Sequence, residues 1–271
     1  MVLDDSESDE ELVYDAPTVL RALDGGARRG KAGRERELRA RRDVTREVSL
    51  ATRAAVNNAK FIVIVGILLF VPAWTLSYWQ AWLYLCLQLV WLMGVGAWLL
   101  RHDPALAERR LVQDERGEND PEQRAILSVM RVFGAAMHVV AGLDRRFGWS
   151  HVPPAVVAFG VLLFVLGGAI VFVVFRANTF TSSIIAVEPA QRVVTTGPYA
   201  IVRHPFYAGT TLMGVGIPLI LGSFWCAIFV PIGWVLLARR IFAEERFLAE
   251  NLPGWSDYAR ATPSRVVPGV W

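Results

Sequence analysis

The chain has 271 residues, of which 54% are hydrophobic, and its mean hydropathy is +0.38 with ten tryptophans. Because the apolar residues are concentrated in blocks, this composition excludes an ordinary soluble domain and indicates an integral membrane protein. The formal net charge of +3 is unevenly distributed along the chain, and the two cysteines, Cys86 and Cys226, both lie inside apolar runs. Neither a disulfide framework nor a cysteine metal site is supported.

The first 55 residues differ in composition from the rest of the chain. Residues 4–11 form an acidic run, and residues 28–53 are densely basic with almost no large apolar side chains. We therefore expect a disordered arm over residues 1–55, followed by a membrane domain over residues 56–271. The basic part of the arm suits an anionic lipid surface or control of topology better than nucleic acid, so no nucleic-acid partner is expected.

Hydropathy predicts six apolar spans, each close to the length that a bilayer core requires of a helix. They are residues 60–79, 81–100, 125–143, 154–175, 206–222 and 224–240. The short connections at Gln80 and at Gly222-Ser223 predict antiparallel helical hairpins. The predicted fold class is therefore all-α, a polytopic membrane bundle of about five to six transmembrane helices with a C-terminal helical hairpin.

The distribution of basic residues predicts the orientation of this bundle. With both termini on one side, that side collects 25 of the 28 lysines and arginines. The opposite side has Arg145 and Arg146, and Arg131 lies inside a span. By the positive-inside rule, we expect both termini to be cytoplasmic.

Charged residues flank the last predicted hairpin on its cytoplasmic side. Arg203 and His204 precede Pro205, which is well placed to begin a helix, and Arg240, Glu244 and Glu245 follow about forty residues later. Each charge taken alone fits a side chain that extends from the membrane edge into water. Together they favour a polar pocket beside a lipid-facing entrance, because helix-start amides suit an anionic group.

These residues carry a family resemblance. Gly197-Pro198-Tyr199, Arg203-His204-Pro205-Phe206-Tyr207 and, after an apolar hairpin, Glu244-Glu245 resemble the signature of the isoprenylcysteine carboxyl methyltransferase and phospholipid methyltransferase family of membrane enzymes. Further matches are Ala107-Glu108-Arg109-Arg110, Gly142-Leu143-Asp144, Asn178-Thr179-Phe180, Tyr258, Pro268 and Trp271. The resemblance covers residues 60–271.

The resemblance implies an enzyme that binds S-adenosylmethionine in a cytoplasm-facing pocket and methylates a lipophilic acceptor from the bilayer. It implies no metal. The cofactor-contacting positions would be Gln191, Arg192, Val193, Val194, Tyr199, His204, Pro205, Phe206, Tyr207, Glu244 and Glu245. Arg203 and Arg240 are the predicted catalytic residues, which would position the acceptor. Where isoprenylcysteine members of the family often carry His, this chain has Gln191.

The type of acceptor follows from the charges that the site presents. A carboxylate is ionised at neutral pH and needs only a cation such as Arg203 or Arg240 to position it. An amine has to lose a proton, for which Glu245 or His204 would serve as base, and nearby arginines would hinder its developing charge. The residues therefore favour a carboxylate acceptor, such as an isoprenylcysteine-like group, over a phospholipid amine, which stays open as the alternative.

Two other classes of protein stay open. Some NADPH-dependent membrane sterol reductases have a C-terminal region that resembles the His204-Pro205 arrangement. A non-catalytic scaffold is the third interpretation, with the basic arm docking a partner. Separately, Arg131 and His138 lie seven residues apart on one helical face, where we expect Arg131 to extend toward the interface and His138 to face the bundle. The oligomeric state is not predicted.

Overall fold

A computed structural model of the protein describes residues 48, 50–112, 120–181, 187 and 191–271. The secondary structure of these residues is helical and contains no strand. The helices are α1 (Leu50–Ala73), α2 (Trp79–His102), α3 (Pro104–Val112), α4 (Pro121–Phe147), α5 (Pro154–Ala177), α6 (Pro205–Ile220), α7 (Phe229–Asn251) and α8 (Trp255–Ala261). Short 3₁₀ turns at Gly197–Ala200 and Trp225–Ile228 precede α6 and α7. The prediction of an all-α bundle is confirmed.

Five segments are long and apolar enough to cross a membrane, and the protein is a multi-pass integral membrane protein. They are Leu50–Ala73, Trp79–His102, Pro121–Phe147, Pro154–Ala177 and Trp225–Asn251. The fifth predicted span, residues 206–222, corresponds to α6, which has only 16 residues. At 1.5 Å per residue, α6 is roughly 24 Å long, shorter than a typical hydrocarbon core of about 30 Å.

The first and last predicted spans have different bounds in the structure. Helix α1 ends at Ala73, because Pro72 lies in its last turn and Trp74 adopts a left-handed conformation with φ of 53°. The first interhelical turn is therefore at residues 74–78, and Gln80 lies inside α2. Helix α7 continues eleven residues beyond residue 240, since its later residues are good helix formers. Glu244 and Glu245 are thus part of that helix.

The basic arm lies almost entirely outside the described residues. Helix α1 begins at Leu50, a buried residue within the range predicted for the arm. Residues 1–47 are not described, so a disordered arm with a lipid-binding basic part stays a prediction. Residues Leu50–Trp271 form one compact unit.

Glycines bring α5 and α6 into backbone contact. A Cβ atom added at Gly167 of α5 would lie 2.4 Å from the carbonyl oxygen of Gly209 in α6, and one added at Gly216 would lie 2.6 Å from that of Gly160. Side chains larger than hydrogen at these positions would force the two helices apart. Small residues allow this close packing within membranes, where dispersion contacts drive helix association. The pairing fixes the first turns of α6 against α5.

At the far end of α6 from Pro205, a buried carboxylate joins two interhelical turns. Asp144 accepts hydrogen bonds from the backbone N–H and the hydroxyl of Ser150, both at 2.7 Å, and from the hydroxyl of Ser223. The hydroxyl of Tyr78 donates to the carbonyl of Leu221 at 2.6 Å. These bonds hold the turns after α1, α4 and α6 together.

The two α4 residues singled out by their spacing lie in different environments. His138 is buried, with Nε2 3.2 Å from the hydroxyl of Tyr84 and Nδ1 2.6 Å from the carbonyl of Gly134. It faces the bundle, as expected. Arg131 is exposed on the surface of α4. Neither residue lines the cavity described next.

Candidate active site

A cavity of about 370 Å³ lies at the N-terminal end of α6. Its walls come from α3, α4, the segment after α5, the 3₁₀ turn before α6, the start of α6, α7 and α8. Every predicted site residue except Glu245 lines it, namely Gln191, Arg192, Val193, Val194, Tyr199, Arg203, His204, Pro205, Phe206, Tyr207, Arg240 and Glu244. The fold thus brings residues from three separate stretches of sequence to one cavity.

The start of α6 forms one wall of the cavity. His204 is the N-cap residue and makes no side-chain cap, and Pro205 is the first helical residue. Because the first N–H groups of a helix have no acceptor within it, the amides of Phe206 and Tyr207 are left to bind an outside group. With the helix dipole, this terminus suits an anion such as a carboxylate.

A hydrogen-bonded chain joins α6 to α7 across the cavity wall. The hydroxyl of Tyr207 donates to Oε2 of Glu244 at 2.7 Å, and Nε of Arg240 donates to the same hydroxyl at 3.2 Å. Arg240 and Glu244 lie four residues apart and so share one face of α7. Arg240 is buried, and Glu244 is partly exposed. The site therefore presents a carboxylate and a guanidinium side by side.

Glu245 does not line the cavity and lies in a cluster of basic side chains. Its Oε1 is 3.1 Å from Nε of Arg203 and from Nε2 of His204, and its Oε2 accepts a hydrogen bond from Nε of Arg265 at 3.0 Å. Arg203 also donates from Nη1 to the carbonyl of Ala259 at 3.3 Å. The charge of Arg203 is therefore matched within the protein.

The segment after α8 reinforces this cluster through its backbone. The N–H groups of Arg203 and His204 donate to the carbonyls of Ser264 and Arg265, at 2.9 and 2.8 Å. The guanidinium of Arg265 also lies over the ring of Phe242, 5.0 Å from its centroid. Residues 264–265 thus hold the two residues that precede Pro205 through backbone hydrogen bonds.

Aromatic side chains from α8 and the 3₁₀ turn cover another part of the cavity. The hydroxyl of Tyr258 donates to the carbonyl of Tyr199 at 2.8 Å, and Nδ2 of Asn178 donates to the hydroxyl of Tyr199 at 2.9 Å. The ring of Trp255 lies 6.2 Å from that of His204. Burial raises the pKa of Tyr199 and of Tyr258 above the usual phenol value, so both hydroxyls stay neutral near pH 7.

One cavity residue comes from well outside the C-terminal motif. Arg110 of α3 places its guanidinium carbon 4.9 Å from the ring centroid of Phe175 and 5.4 Å from that of Phe206. Its Nη1 donates to the carbonyl of Thr181 at 3.3 Å. Burial lowers the pKa of Arg110 to about 10, so it remains a cation near neutral pH. Sequence reasoning noted Arg110 as part of the resemblance but assigned it no role.

An apolar groove of about 280 Å³ adjoins the cavity between α4, α6 and α7. The two share Met130, Thr210 and Leu237 as lining residues. Each helix contributes one glycine to the groove, Gly134, Gly214 and Gly233, and a Cβ atom added at any of the three would meet nothing within 4 Å. Open apolar space thus continues directly from the polar cavity.

No group of metal-ligating side chains occurs among the residues that the structure describes.

The part of the chain that lines this cavity is similar to known proteins. Residues 155–253, from α5 to the turn after α7, match the model of the phospholipid methyltransferase family. The matched residues make up less than half of the chain. The match includes Tyr199, the motif from Arg203 to Tyr207, Arg240 and Glu244.

Two individual proteins match over stretches of 113 and 76 residues. Protein-S-isoprenylcysteine O-methyltransferase B of Arabidopsis thaliana is 33% identical over 113 residues, which is 40% of this chain and 57% of that protein. The nickel-cobalt-cadmium resistance protein NccN of Alcaligenes xylosoxydans xylosoxydans is 33% identical over 76 residues, 28% of this chain and 36% of that protein. The chain thus spans between about a third and just over half the length of these relatives.

Among solved structures, that of the eukaryotic intramembrane Ras methyltransferase ICMT aligns with 80% of this chain and 77% of its own. The TM-score is 0.48, and the sequences are 17% identical.

Proposed function

We propose that the protein is a membrane methyltransferase that uses S-adenosylmethionine to methylate a carboxylate on a lipophilic acceptor. The observation that carries this proposal is the meeting of three features in one place: the free amides at the start of α6, the carboxylate of Glu244, and the apolar groove. A cavity of about 370 Å³ also falls within the range of small-molecule sites, about 300–1,000 Å³.

The cavity residues fit the chemistry of the methyl donor. When bound, S-adenosylmethionine supplies an electrophilic methyl group on a sulfonium. Glu244 is placed to accept hydrogen bonds from the donor's ammonium, and the amides of Phe206 and Tyr207 to hold its carboxylate. The faces of Tyr199 and Trp255 suit an adenine ring or a cationic sulfonium. Glu245 acts differently from the sequence prediction in this proposal, since it positions Arg203 and His204 rather than touching the donor.

The groove supports a lipophilic acceptor. An apolar tail lying among Gly134, Gly214 and Gly233 would bring its polar end past Met130 and Thr210 into the cavity. Methyl transfer is an in-line displacement, so the protein has chiefly to align the two reactants and exclude water. The wall formed by Arg240 and Tyr207 serves both to align the reactants and to exclude water.

Both termini are also proposed to lie in the cytoplasm, because most of the basic residues are on the side of the membrane that holds the termini. The cavity would then open to the compartment that supplies the soluble donor. Protease added to sealed, right-side-out vesicles should leave a tag at the C-terminus intact, whereas cleavage of the tag would reverse this orientation.

Transfer of a labelled methyl group tests the reaction itself. Purified protein in lipid vesicles, given methyl-labelled S-adenosylmethionine, should move the label into the organic-soluble fraction. Base should then release that label as methanol, because a carboxyl methyl ester hydrolyses and an N-methyl group does not. If the label resists base, the acceptor is an amine and not a carboxylate. If no lipid fraction contains label, the proposal of a methyltransferase is contradicted.

A further inference from the structure

The cations that face the cavity differ in how far the protein itself neutralises them. Arg203 lies 3.1 Å from Glu245, and Arg240 shares a hydrogen-bonded chain with Tyr207 and Glu244. Arg192 is exposed at the rim. Arg110 makes no ion pair with any residue that the structure describes.

Arg110 is nevertheless held in a defined position. The rings of Phe175 and Phe206 lie within 5.4 Å of its guanidinium carbon, and its hydrogen bond within the described chain is the one to the carbonyl of Thr181. A guanidinium has five N–H donors, so most of its donors are left for another partner. Arg110 also lines the cavity, so these N–H donors can bind a carboxylate there.

The charge of the cavity indicates what that partner is. Glu244 is the single acidic side chain among the described residues that line it, and it serves the donor's ammonium in the proposed function. The donor itself carries an ammonium and a sulfonium against one carboxylate, so it adds positive charge to a site that already has an excess. Buried charge without a counter-charge is costly. A second carboxylate, from the acceptor, would offset the excess, whereas an amine would increase it.

We infer that Arg110 binds the carboxylate of the methyl acceptor and thereby selects carboxylates over amines, an inference that rests on the proposed methyltransferase function. In the transfer, a carboxylate oxygen forms the bond to the methyl carbon while the carbon–sulfur bond breaks with its electron pair on sulfur. No proton has to move. The ester that results is neutral, so it loses its attraction to Arg110 and can leave along the groove.

The experiment compares two probes with the same apolar tail, N-acetyl-S-farnesylcysteine, a carboxylate, and S-farnesylcysteamine, an amine. Their binding is measured on purified full-length protein in detergent that is saturated with S-adenosylhomocysteine. We expect the wild type to bind the carboxylate more tightly, and Arg110→Gln to weaken that binding by roughly tenfold or more, as loss of a charge-assisted hydrogen bond does. Binding of the amine should stay the same or improve.

Two variants separate binding from structure. Arg110→Lys keeps the charge and should recover part of the preference for the carboxylate. Arg109→Gln is the matched control, since Arg109 is the preceding residue on α3, bonds the carbonyl of Thr179, and does not line the cavity. It should leave the binding of both probes unchanged. A folding defect would instead affect Arg110→Lys and Arg110→Gln alike.

Separate outcomes overturn this inference and the proposed function. If the wild type binds no S-adenosylmethionine, the proposed function fails. If it binds the donor but prefers the amine probe or neither probe, or if Arg110→Gln weakens donor binding as much as probe binding, the role of Arg110 is refuted and the methyltransferase stands.

Discussion

Replacing Gly167 with alanine should displace the start of α6 and so damage the donor site from a distance. The added Cβ would lie 2.4 Å from the carbonyl oxygen of Gly209 and 2.9 Å from two atoms of Met213. Real Cβ atoms essentially never lie within 3.0 Å of such a neighbour, so α5 and α6 must separate by about 0.6 Å or more, the difference between 3.0 and 2.4 Å. Overpacking of this kind costs about 1–3 kcal/mol.

Gly214→Ala provides the matched control for Gly167→Ala. A Cβ at Gly214 would meet nothing within 4 Å, and alanine favours a helix over glycine by up to about 1 kcal/mol. Thermal unfolding in detergent should therefore show a lower midpoint for Gly167→Ala and an equal or higher one for Gly214→Ala.

The same pair of variants should differ in donor affinity. Gly209 lies one turn after Pro205, so a shift of α6 moves the amides that hold the donor's carboxylate, and Gly167→Ala should weaken S-adenosylmethionine binding several-fold. Equal stability and equal affinity for the two variants would refute the idea that α5 positions the site through this contact.

Three further predictions concern the cluster, the groove and the arm. Glu245→Gln should destabilise the protein by about 3–5 kcal/mol, because it leaves the charge of Arg203 buried without its carboxylate; an unchanged unfolding midpoint would contradict this. Gly214→Leu should fill the groove and reduce binding of a farnesylated probe while donor affinity is retained. If probe binding is unaltered, the acceptor tail does not bind in this groove. Deleting residues 1–47 should change donor affinity by no more than about twofold. If the truncated protein folds but loses donor affinity, the arm contributes to the donor site.

Hydropathy and motif spacing predicted much of this molecule. Long apolar runs identified each spanning helix, because the hydrophobic thickness of a bilayer limits helix length strongly. Their ends were harder to predict, since the end of α1 depends on the left-handed Trp74 and the length of α7 on helix formers that continue past the apolar run. The residues of the motif, apart from Glu245, line one cavity in the structure, and their roles in binding stay predictions.

Pairing between side chains could not be predicted from the sequence. The sequence shows that Glu244 and Glu245 closely follow Arg240, but only the packed structure shows that the adjacent carboxylates contact different partners. Arg110 was missed for a similar reason. Its place in the cavity depends on contacts with Phe175 and Phe206, which are distant in sequence and come together through α5 and α6.

The cavity is proposed to bind S-adenosylmethionine through Glu244. Calorimetry on the purified protein in detergent, with NADPH as the comparison ligand, tests it most directly. Wild type and Glu250→Gln, an exposed control on the same helix, should bind S-adenosylmethionine equally, and Glu244→Gln should bind it about tenfold or more weakly. Binding of NADPH alone, or equal donor binding by all three proteins, would contradict the account.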